Sequence, residues 1–159
     1  MGKSNRRIGR ELALQLLYQY EVGVRDIETL LEADWLNEKI ARKLGWLRNT
    51  KADYERDIHS RKGDIWQFAE QLTLGAIEHL SELDKLISTH LIRWVIDRIA
   101  IIDLSILRIA LYEMLFRDDI HHVVTMNEAI EITKTYGSDK SWKFINGVLD
   151  AIREEYNKK

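Results

Sequence analysis

The chain is 159 residues long, 45% hydrophobic and 31% charged, with a formal net charge of −2. That composition belongs to a globular protein large enough to bury most of its apolar surface and argues against disorder. There is no cysteine, which excludes disulfide frameworks and thiolate metal sites. No apolar run approaches the ~20 residues of a membrane span. The polar N-terminus has no signal-peptide core, so a cytoplasmic protein is expected.

Proline is also absent, where average usage would give about eight. With helix-period patterning almost throughout, this predicts an all-α chain of about seven helices. Residues 1–10 carry Lys3, Arg6, Arg7 and Arg10 and no acid, a basic head on an acidic body. Such a head is either an electrostatic footprint for nucleic acid or a solvated terminus. The first helix is predicted from about Arg6 to Val22, with Ile8, Leu12, Ala13, Leu16, Leu17 and Tyr20 on one face and Gly23 closing it. At about 100° per residue, Tyr18 falls on the stripe of Arg7 and Glu11.

Asp26 is placed to cap a second helix running through Ile27, Leu30, Leu31, Trp35, Leu36 and Ile40. From about 43 to 63 the pattern weakens and charges dominate, which predicts an exposed, partly helical excursion. Asp64 opens a third helix in which Gly75 suits a close helix crossing. Ser81 and Asp84 are candidate caps for a fourth helix. After a break near 94–100, Asp103 stands where a first-turn acid is favoured. The helix that follows, to about Phe116, is apolar over most of its circumference and is expected to be central. Thr125 to Glu128 fits a capping box for the next helix, which ends at Gly137. Ser138 begins the last helix, with Phe144, Ile145, Val148, Leu149 and Ile152 turned inward. The N-terminal helices (about 6–81) and C-terminal helices (about 82–156) are expected to form two small subdomains of one domain spanning 1–159.

No catalytic constellation emerges. His121-His122 adjoins Asp118-Asp119, but adjacent histidines on a loop point apart unless the backbone turns sharply, and no HExxH spacing exists, so an ordinary loop is expected and no metal. Asp97 and Asp103 are explained as caps, and the scattered glycines form no phosphate-cradling loop. The expectation is a non-enzyme without cofactor. What remains is recognition of single-stranded RNA, which needs cations for phosphates and aromatic faces for bases. Lys3, Arg6, Arg7, Arg10 and Tyr18 supply both kinds of group. The start of the last helix, with Lys140 and Lys143, offers backbone N–H groups to a phosphate. Phe144 reads as core or as a stacking platform.

The ordered series LRIALYE, NEAIEITKTYG and KFINGVLD, with GRELALQLLYQ near the start, resembles the NusB family of transcription antitermination factors. The likeness implies an all-helical fold of two small bundles. It also implies a non-catalytic adaptor that binds boxA RNA together with NusE, a small-subunit ribosomal protein, and helps RNA polymerase read through terminators, notably in ribosomal RNA operons. By the same resemblance, RNA contacts map to Lys3, Arg6, Arg7, Arg10, Tyr18, Lys140, Lys143 and Phe144, and partner contacts to Tyr18 and Asp103. Departures from the family pattern are His121-His122-Val123 in place of a frequent Pro-Tyr-Lys, Lys140 where an acid is common, and a longer excursion at 43–63. The alternative is a helical interaction module or homodimer without specific RNA binding.

Overall fold

Ser4 starts the first helix: its hydroxyl accepts the Arg7 N–H at 3.1 Å, and α1 runs Asn5–Val22. Gly23 ends it at φ 140°, a conformation that side chains disfavour. The structure is a computed structural model that describes residues 3–47, 51–92 and 95–157. It is helical, with no strand among the described residues.

Asp26 caps the second helix as expected, accepting the Thr29 N–H, yet α2 stops at Ile27–Glu32. Ala33 turns left-handed at φ 46°, and the Asn37 side chain accepts the Ile40 N–H to start α3, Glu38–Lys43. The apolar period continued across both helices, but asparagine favours a cap over a helix interior. The predicted second helix is therefore two. The segment 43–63 carries α4 (Lys51–Tyr54), which runs into a π-helical turn at Glu55–His59. It buries Trp46, Tyr54 and Ile58, so part of it is core. Arg61 is held at φ 61° with its guanidinium 4.0 Å from the Trp66 ring and donating to the Glu32 carbonyl at 2.6 Å. A Cβ at Gly63 would stand 2.5 Å from the Arg56 carbonyl and from the Asp57 Cα, so only glycine closes this turn.

The chain divides into two compact units, residues 1–73 and 74–159. The division falls inside α5, Asp64–Glu78. The first unit includes α1 against α2 and α3 against α4.

The second unit is built around α7, Ile101–Phe116, which packs on α6 (Leu80–Thr89), α8 (His122–Tyr136) and α9 (Ser141–Asn157). A 3-10 turn at Ile96–Arg98 precedes it. Leu104, Ile106, Leu107, Ile109, Ala110 and Leu111 are all buried, which makes α7 the central helix that its apolar circumference predicted. A Cβ at Gly75 would overlap the Tyr112 ring, so this glycine does serve a close crossing. The Tyr112 ring stacks on Phe116 at 5.3 Å, and Phe116 on His79 at 4.1 Å.

Several start signals fall elsewhere than the sequence placed them. Thr125 is inside α8 and buried, because His121 caps that helix: its Nδ1 accepts the Val123 N–H at 3.2 Å. Asp84 is not a cap. It lies within α6 and forms a two-point ion pair with Arg108 of α7, both N···O distances 2.8 Å. The last helix begins at Ser141, three residues after Ser138.

Candidate nucleic-acid interface

In the first unit the basic head is packed on the fold. The Lys3 ammonium donates to Glu11 Oε1 at 2.7 Å and to the Leu44 carbonyl at 3.0 Å. Glu11 is 1% exposed and its Oε2 accepts no hydrogen bond among the described residues, so Lys3 supplies charge that a buried carboxylate needs. The guanidinium groups of Arg6 and Arg10 lie 4.2 and 5.3 Å from the centre of the Phe68 ring. Gly9 permits this arrangement, since a Cβ there would stand 2.7 Å from the Phe68 ring edge. Arg6 is exposed and Arg7 half-buried, whereas Arg10 is 4% exposed. Tyr18 is half-buried on the same helix, about 16 Å beyond Arg7 along its axis.

In the second unit, Asp103, Lys140 and Phe144 come together on one cavity of about 390 Å³, with Arg98, Ser138 and Ser141 also in its wall. Asp103 is buried and takes a hydrogen bond from the Ser141 hydroxyl at 2.8 Å. The Ser138 and Ser141 hydroxyls are 2.7 Å apart, so with Asp103 ionised the proton order runs from Ser138 to Ser141 to the carboxylate. This chain of bonds ties the turn before α9 to the first turn of α7. Lys143 is exposed and its ammonium lies 5.6 Å from the Trp142 ring centre. Arg98 and Trp142 were not singled out from sequence, and Phe68 was read only as part of an apolar helix face. The only available signals were a glycine opposite Phe68 and an indole set between lysines in the chain.

Burial pushes the Asp103 carboxyl above the ordinary range, and the Ser141 hydrogen bond opposes that shift. An acid raised in the folded state loses its proton more readily from the unfolded chain. Stability therefore declines as pH climbs from the ordinary carboxylate range through the raised value, and this contribution is constant above it. Asp103→Asn removes that decline. Thermal melts from acidic to neutral pH check this: the stability difference between the parent and the variant should shift against the parent as pH rises. A difference that stays flat contradicts it.

Among the described residues, no group of three or more His, Cys, Asp or Glu side chains could hold a metal ion, and no helix is long and apolar enough to cross a membrane.

The NusB family model matches residues 7–154. The chain belongs to the NusB family. Among its NusB relatives, the transcription antitermination protein of Thermodesulfovibrio yellowstonii is 39% identical over 150 residues, covering 94% of this chain and 92% of that one. The Bacillus subtilis protein of the same name is 43% identical, covering 94% and 95%. In the solved NusB of T. maritima the likeness is 35% identity with a TM-score of 0.71, over 98% of this chain and 94% of that one. A chain in the crystal structure of the antitermination factors NusB and NusE with dsRNA shares the NusB fold, at 24% identity and a TM-score of 0.71, covering 96% and 98%.

Proposed function

We propose that this NusB-family chain is a non-catalytic transcription antitermination adaptor acting in the cytoplasm over its whole length. It binds boxA-type single-stranded RNA with NusE and joins the RNA polymerase antitermination complex. The membership of the family carries the reading. The arginine groups on Phe68 and the cavity bearing Lys140 and Phe144 support it, because each unit offers cations beside an aromatic ring. Arg6, Arg7, Lys140 and Lys143 act on phosphates and Phe144 on a base. Arg10 and Lys3 take part while also holding the head in place. Tyr18 and Asp103 serve the partner-facing side.

The alternative is a self-associating helical module. Light scattering of the chain mixed with NusE and boxA RNA separates the two. A complex with one copy of each component supports the adaptor, and a self-associated chain unaffected by either addition overturns it.

A further inference from the structure

Trp142 stands just ahead of the Lys143-to-Asp150 segment that carries the family resemblance, and no part of the proposed function uses it. It is half-buried on the first turn of α9. Its neighbours are cations from two helices: the Lys134 ammonium of α8 lies 5.2 Å from the ring centre and the Lys143 ammonium 5.6 Å. Both lysines are exposed, and the Glu131 carboxylate meets Lys134 only at 3.5 Å. Two positive charges thus converge on one indole.

Lys143 is the neighbour of Trp142 in the chain, whereas Lys134 is brought to the same ring from a separate helix. Each such contact is weak at an exposed site, and two cations near the same ring repel each other. The arrangement gains when an anion enters beside the ring. Nucleic acid brings what both parts lack, a phosphate for the ammonium groups and a flat base for the indole.

Trp142 and Phe144 are two residues apart on a helix, about 200° around its axis, and so do not face each other. The indole therefore cannot share the base held at Phe144. We infer that Trp142, with Lys134 and Lys143, forms a second nucleotide subsite for single-stranded RNA, extending the path of the strand around the start of α9 toward α8. This rests on the adaptor reading.

The test uses fluorescence anisotropy with the full chain and two sets of RNA: a core boxA-type oligonucleotide, and the same sequence lengthened by a few nucleotides at either end. The parent chain should tighten on lengthening at one end. Trp142→Ala should bind the core RNA as the parent does and lose roughly 10-fold on the longer one, the scale of one stacked base. Trp142→Phe keeps an aromatic face and should retain most of the gain, which guards against a folding defect in the alanine variant. Lys134→Gln should lower the salt slope on the longer RNA by about 0.7. Equal tightening by the parent and Trp142→Ala overturns the subsite while leaving the adaptor reading standing. No binding of either RNA by the parent overturns both.

Discussion

Asp84→Ala should lower the folding stability by about 2–3 kcal/mol, less than the loss of one partner of a fully buried ion pair, because the Asp84 carboxylate is partly open to solvent. Arg108 lies in the middle of the central helix with its side chain 5% exposed, against 30% for Asp84. The guanidinium fork meets the carboxylate at two points, Nε to Oδ1 and Nη2 to Oδ2, both 2.8 Å. Water reaching the space of the lost carboxylate replaces its charge only in part, and the cation cannot neutralise itself. At about 2–4 °C per kcal/mol for a chain of this size, the melting temperature should fall by roughly 5–10 °C. Urea unfolding checks the prediction, and a loss under about 1 kcal/mol contradicts it. Replacing both residues together by apolar ones of similar volume should cost far less, because no charge is left stranded.

Arg6→Ala with Arg7→Ala should weaken RNA binding about 100-fold, at about 1.5 kcal/mol for each charge-assisted contact. The salt slope should fall by about 1.4, from roughly 0.7 per contact on a single strand. The pair is chosen because Arg6 and Arg7 keep exposure that Arg10 lacks. Removing Arg10 would strip a buried side chain from beside Phe68 and mix packing with recognition. Arg6→Lys with Arg7→Lys should restore most of the salt slope, because the charge remains, but not all of the affinity, because lysine cannot fork onto a phosphate. Anisotropy titrations at several salt concentrations give both quantities. Unchanged affinity and slope in the alanine pair would remove the head from the RNA surface.

The parts legible in the sequence were those set by local period and composition. The apolar run from Leu104 to Leu111 marks a buried helix, and Gly75 marks a close crossing, which the Tyr112 ring makes. The misplaced starts came from local rules that tertiary structure overrode. Thr125 to Glu128 satisfies a capping box on paper, but His121 offers a cap one turn earlier. Asp84 looked like a cap because nothing in the sequence says that Arg108, 24 residues later, packs against it. The site was legible as charge and not as geometry. Four cations in the first ten residues announced themselves, whereas the burial of Glu11 that makes it need Lys3, and the placing of Arg10 beside Phe68, depend on tertiary packing.

The most direct test of the antitermination reading is a fluorescence-anisotropy titration of boxA RNA and a scrambled counterpart, with and without NusE, at two salt concentrations. The account predicts a preference for boxA that tightens when NusE is added. Equal, weak and steeply salt-dependent binding to both RNAs, unchanged by NusE, would contradict it and leave the basic head a nonspecific patch on a helical interaction module.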